Sequence, residues 1–342
     1  MAPCRPIGAG CEPVGTLGRS ASARLSLRAG AALVPRLMLP IVYHPAYSAE
    51  IPTEHRFPMG KYRRLAEILV EEGVVAAGDL LRPEPASFEQ LSRVHAAEYV
   101  RQTFDLAIPR AIEREIGLPM TASVVARARA AAGGTVLTAR LALERGLACN
   151  TAGGSHHAGP LHGAGFCTYN DVAVAARALL DDDSVSRILV VDLDVHQGDG
   201  TAFIFADEPR VFTFSMHGEK NYPLRRATSD LDIDLPDGME DDAYLARLAD
   251  VLPGLVDRVR PDLVFYNAGV DPHREDRLGR LALSDEGLGA RDAFVLRTCL
   301  GKGRPVAGVI GGGYDRDVER VARRHAILHR TASGFIGRRR PV

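Results

Sequence analysis

Short runs of consecutive apolar residues alternate with longer stretches in which apolar positions recur every three or four residues. The runs are Ile41-Val42-Tyr43, Ile188-Leu189-Val190-Val191, Val211-Phe212-Thr213-Phe214, Leu263-Val264-Phe265-Tyr266 and Val306 to Ile310. A strand with one wet face alternates apolar and polar residues. Unbroken Val, Ile and Leu predict strands covered on both faces, hence a parallel sheet between helices. The periodic stretches predict helices over 61–72, 122–145, 170–182, 241–259, 285–299 and 315–330. No internal repeat and no linker rich in Pro, Gly or Ser divides the body, so residues 38–332 read as one α/β domain. In such sheets ligands bind beyond the carboxyl ends of the strands. The residues just after each run are therefore the place to look for chemistry.

Composition excludes more than it identifies. A formal net charge of −1 gives no electrostatic ground for binding nucleic acid or a membrane surface. No apolar run approaches the roughly 18 to 20 residues that a membrane span needs. The five cysteines form no CxxC pair, which points to a reducing, cytoplasmic setting over a disulfide framework. Residues 1–37 differ from the rest, with five arginines and Glu12 as the only acid. They read as a disordered extension, a start assigned ahead of Met38, or a transit peptide that would place the protein in an organelle. Residues 333–342 form a basic tail.

Four strand ends carry the candidate chemistry. After Ile188–Val191 comes DLDVHQGDG, in which Asp192, Asp194 and His196 would share one face of an extended chain. A carboxylate and an imidazole two residues apart can reach a single divalent ion. Helix capping accounts for one of the acids, Asp199 being the natural candidate, but not for all of them. After Leu263–Tyr266 comes NAGVDP. Its Asp271, alone a turn residue, completes with Asp194 and His196 a three-ligand set with an open position, as in catalytic zinc sites. After Val306–Ile310 comes Gly311-Gly312-Gly313-Tyr314, which lacks the spacing of a nucleotide loop. The glycines are expected to let the backbone pass close to a ligand, with the Tyr314 phenol donating a hydrogen bond. The fourth end, after Leu147-Ala148-Cys149-Asn150, is GGSHHAG. Adjacent side chains diverge along an extended backbone, so His156 and His157 read as proton carriers oriented by Asp192 and Asp199. The glycines around them are expected to admit substrate.

Taken in order, GGSHHAG, Gly165-Phe166-Cys167, DLDVHQGDG, Phe214-Ser215-Met216-His217, NAGVD and GGGY resemble the zinc-dependent histone deacetylase family. The flanks HRFPMGKY at 55–62, LALERG at 141–146, EDDAYL at 240–245 and DRLGRLALS at 276–284 look most like its class IV, histone deacetylase 11-like branch. The resemblance covers about residues 41–331. It implies an arginase/deacetylase fold, a three-layer αβα domain around an eight-stranded parallel sheet. It also implies one zinc ion, with ferrous iron (Fe2+) the other candidate, on Asp194, His196 and Asp271. By the same resemblance His156, His157, Asp192, Asp199 and Tyr314 are catalytic, and Gly165, Phe166 and Tyr222 wall an acyl-lysine tunnel. Asp192 and Ser215 match part of a structural potassium (K+) site. Leu278 stands where acetylpolyamine-hydrolysing members carry a glutamate gate.

These readings converge on hydrolysis of an acyl-lysine amide, acetyl or longer, in a protein; an acetylpolyamine or other small acylated amine is the alternative substrate. Two rivals remain. A ureohydrolase on the related arginase scaffold needs the DAHxD and DxDxxDP motifs of a two-manganese site, and neither occurs. An acyl-lysine-binding scaffold without activity would be expected to lack a ligand or the tyrosine. Oligomeric state leaves no mark in the sequence.

Overall fold

A computed structural model describes residues 38–336; the extension at 1–37 and the last residues of the basic tail lie outside them. The first half of the chain runs β1 (Ile41–Val42), α1 (Lys61–Glu71), α2 (Phe88–Ser92), α3 (Ala97–Phe104), α4 (Arg110–Ile116), α5 (Ala122–Arg145), β2 (Leu147–Asn150) and α6 (Asp171–Asp181). The second runs β3 (Ile188–Asp192), α7 (Asp199–Phe205), β4 (Val211–Gly218), β5 (Leu231–Leu235), α8 (Asp241–Val259), β6 (Leu263–Asn267), α9 (Asp285–Gly301), β7 (Val306–Val309) and α10 (Val318–Ser333).

The strands form one sheet in the order β1-β2-β7-β6-β3-β4-β5, and every pairing is parallel. Along each central strand, successive side chains enter different cores. Ile188, Val190, Leu263 and Phe265 pack with Leu179 of α6 and Phe205 of α7. Leu189, Val191, Val264 and Tyr266 pack with residues of α1, α8, α9 and α10. This two-sided burial is what the unbroken apolar runs require. Among the described residues no helix is long and apolar enough to cross a membrane.

The sheet has seven strands among the described residues, not the expected eight. Outside β1, Leu81 makes a single parallel bridge to Val42, with its N–H on Ile41 O and its C=O on Tyr43 N. The next donor in that ladder would be residue 83, which is proline and has no N–H. The ladder stops after one rung.

The sheet order decides where the motifs meet. The ends of β2, β7, β6 and β3 lie side by side, although β2 and β7 are far apart in the chain. Register aligns Asp192 of β3 with Asn267 of β6 on one side and Ser215 of β4 on the other. Between β2 and β3 the chain crosses over two strands that it fills only later, which opens a crevice at their carboxyl ends.

Candidate active site

Strand β3 ends at Asp192, and the backbone then leaves the extended form. The expected shared face of Asp192, Asp194 and His196 is therefore not kept. Asp194 and His196 turn toward Asp271, and Asp192 turns away. His196 Nδ1 lies 3.0 Å from Asp194 Oδ1 and 3.1 Å from Asp271 Oδ2. One donor atom from each residue falls within 4.8 Å of the others, and all three residues are buried. Backbone amides hold the carboxylates in place. Val195 N–H donates to Asp271 Oδ1 at 2.9 Å, and Gly312 N–H to Asp194 Oδ2 at 2.6 Å.

The charge state of this cluster tests its fit to a metal. Burial, with the Asp194 charge adding to it, pushes the Asp271 carboxyl up to about 6. Asp194 is held well below its ordinary value because His156 and His196 outweigh its burial. Burial lowers the His196 imidazole, yet its hydrogen bonds to Asp194 and Asp271 raise it to about 10. A proton on Nδ1 thus stands between two carboxylates that require a cation. Two oxygen donors and one nitrogen suit a divalent ion such as zinc or ferrous iron, which would replace that proton.

Each tandem histidine has its own carboxylate. His156 Nδ1 is 2.7 Å from Asp192 Oδ2, and His157 Nδ1 is 2.6 Å from Asp199 Oδ1. Asp192 also accepts from Asn267 Nδ2 at 2.9 Å. Asp199 opens α7 without capping it; Gly198 takes the cap position. With both Nδ1 atoms committed, the two Nε2 atoms are the ones free to exchange protons. The rings lie 4.1 Å apart and do not share the same charge. Burial lowers His156, but Asp192 and Asp194 outweigh it and raise the group to about 9. Burial and the His156 charge bring His157 down to about 4 against the pull of Asp199.

A cavity of about 330 Å³ descends to His157, His196 and Tyr314, walled by Gly165, Phe166, Tyr222 and Leu278. Tyr222 meets the His157 ring edge-on at 4.8 Å. Burial, reinforced by Asp271 and Asp194, raises the Tyr314 phenol well above 10, so the hydroxyl is a neutral donor. Ser215 lies across from Asp192 in the register, and its hydroxyl faces His217 Nδ1 at 2.8 Å.

The glycines allow close packing of the loops. Gly153 and Gly154 adopt φ of +87° and +84°, which disfavours other residues. A Cβ on Gly154 would stand 2.6 Å from Gly311 Cα, and one on Gly312 would collide with the Asp271 carboxylate. They let the strand-end loops pack against one another and against the Asp194 and Asp271 carboxylates.

Several further residues hold the site. Asp171 accepts from Gly154 N–H at 3.1 Å and Ser155 N–H at 2.7 Å, fixing the tandem-histidine loop. His95 pins the same loop through Gly159 O at 2.8 Å. Asp276 accepts the Tyr314 N–H at 2.7 Å. Arg291, fully buried, donates to Gly269 O at 2.7 Å and Leu193 O at 3.3 Å. Lys61 reaches Gly313 O at 3.2 Å and Gly311 O at 3.4 Å from beneath. Lys61 and Asp276 left a signal, as members of the flanks HRFPMGKY and DRLGRLALS, and Lys61 also as one of three lysines in a chain that otherwise uses arginine.

The chain is similar to known proteins over most of its length. Residues 55–329 match the histone deacetylase domain family. The chain is 53% identical over 293 residues to an uncharacterized protein of Picosynechococcus sp., covering 86% of this chain and 98% of that one. It is 31% identical over 300 residues to histone deacetylase 2 of Arabidopsis thaliana, covering 84% and 78%. The crystal structure of the HDA15 HD domain superposes with a TM-score of 0.70 at 23% identity, covering 86% of this chain and 89% of that one. With its fold, its buried Asp-His-Asp set and its paired histidines, this chain belongs to the histone deacetylase family.

Proposed function

We propose that the protein is a zinc-dependent amide hydrolase that removes an acyl group, acetyl or longer, from the ε-amine of lysine. The observation that carries the reading is the pairing of two buried histidines, each with its own carboxylate, beside a buried Asp-His-Asp set at the foot of one cavity. A divalent ion on Asp194, His196 and Asp271 would supply Lewis acidity, lowering the pKa of water toward about 7 and polarising the amide carbonyl.

The chain's own groups do the rest. Asp192 keeps His156 protonated, a positive charge beside the place where the oxyanion develops. Asp199 holds His157, which lines the cavity and is neutral, to take a proton from the attacking water and then deliver it to the departing amine nitrogen. The neutral Tyr314 hydroxyl donates to the carbonyl oxygen as it gains negative charge. Water adds to the carbonyl, the C–N bond breaks, and the products are a carboxylate and a lysine ammonium. A potassium ion beside Asp192 and Ser215 belongs to the same proposal, as does placement on the class IV branch.

Small acylated amines on the same site are the second reading. The half-buried Leu278 on the cavity wall has no charge to hold a second ammonium, which favours a lysine substrate over a polyamine. The test is kcat/KM for acetyl-, octanoyl- and myristoyl-lysine peptides, with N-acetylputrescine alongside, using zinc-loaded protein. Turnover of any acyl-lysine peptide above that of N-acetylputrescine supports the reading, and turnover of N-acetylputrescine alone replaces it with the second. Absence of turnover on all four removes both.

A further inference from the structure

The cavity mouth is basic on a chain that is not. Across the whole sequence 42 Lys and Arg face 43 Asp and Glu, yet Arg56, Lys220 and Arg280 line the cavity against a single carboxylate, Glu115. All four side chains belong to exposed residues. The Arg56 guanidinium lies 4.9 Å over the ring of Phe166, a wall of the tunnel, and among the described residues no carboxylate pairs with it. Stacking on the ring face leaves its N–H edges free to grip an anion. Lys220 and Arg280 share one carboxylate, Asp237, at 3.9 Å and 3.2 Å, so their two charges are half compensated. Glu115 is drawn the other way, 3.3 Å from His162 Nδ1.

Building on the acyl-lysine reading, we propose that Arg56, Lys220 and Arg280 make the mouth a specificity site for acyl-lysine flanked by acidic residues. The acyl chain enters between Phe166 and Tyr222, which leaves the residues on either side of the lysine at the rim. Carboxylates there meet the Arg56 guanidinium and the half-compensated charges of Lys220 and Arg280. Arginine or lysine neighbours meet like charge, and so does the second ammonium of a polyamine. An exposed charge pair changes an equilibrium about two- to fivefold, so two flanking acids give a preference on the order of tenfold. Such a preference fades as salt shortens the screening length to about 3 Å at 1 M.

The experiment compares three acyl-lysine peptides that differ only in their neighbours, two glutamates, two alanines or two arginines, at 50 mM and 1 M salt. kcat/KM and peptide binding by fluorescence anisotropy are both read. The expected order is Glu, then Ala, then Arg, carried by KM and by anisotropy, and compressed at high salt. Arg56→Glu with Arg280→Glu should invert the Glu-to-Arg ratio, an internal ratio that partial loss of folded protein does not move. Equal values, an order that favours Arg, or a ratio unmoved by the double variant overturns the proposal. If no peptide is hydrolysed the hydrolase reading falls by itself, and the anisotropy order still decides the rim.

Discussion

A phenylalanine at 314 would keep the ring that packs near Phe57, Phe166 and His196 and lose only the hydroxyl. Tyr314→Phe is expected to lower kcat about 10²- to 10³-fold, the usual cost of one lost oxyanion donor, with KM nearly unchanged. A steady-state comparison on one peptide checks it, and a change confined to KM would assign Tyr314 to binding instead. His95 tests a supporting residue. It donates from Nδ1 to Gly159 O and accepts the Asn170 N–H on Nε2 at 3.0 Å, so it is held neutral. Burial brings it from 6.5 down to about 4. Between those values the unfolded chain binds more protons, so this contribution is complete above pH 6.5 and is lost as pH falls toward 4. Its size is about 3 kcal/mol. His95→Gln should be less stable at pH 8, and its gap to the wild type should close by about that amount at pH 4. Denaturant unfolding across that range measures it; parallel curves would contradict the assignment.

At the level of elements, the long helices and buried strands were legible because their periods are unambiguous over many residues. The helix expected over 122–145 is α5, and that expected over 241–259 is α8. The misses are short or locally decided. Strand β5, Leu-Asp-Ile-Asp-Leu, is a partly wet edge strand whose acids break the apolar run. Helices α2, α3, α4 and α7 have at most eight residues each, too few to establish a period. The site was legible where ligands cluster within one segment, as in DLDVHQGDG. Asp171, His95 and Arg291 were hidden because their role is set by tertiary contact with loops distant in the chain. The glycine loops carry a prediction at this scale. Gly312→Ala places a methyl against the Asp271 and Asp194 carboxylates and should lower metal content far more than it lowers Tm of the chelated protein. Elemental analysis beside thermal unfolding separates the two, and unchanged metal content would show that the loop can yield.

The whole molecule brings together groups that sequence separates by more than a hundred residues. His156, Asp194, Asp271 and Tyr314 come from the ends of four strands adjacent in the sheet, while β2, which precedes the histidines, and β3, which precedes Asp194, are consecutive in the chain. Rigid strands fix the loop origins, and the buried Arg291, Lys61 and Asp171 tie the loops to one another. The central claim is that one divalent ion on Asp194, His196 and Asp271 drives hydrolysis of an acyl-lysine amide. Titrating zinc into chelated protein while following turnover of an acyl-lysine peptide tests it most directly. Activity should rise linearly and level off at one equivalent per chain, and Asp271→Ala should remove the tight step. Full activity without metal, a break at two equivalents, or an unchanged titration in Asp271→Ala would contradict the account.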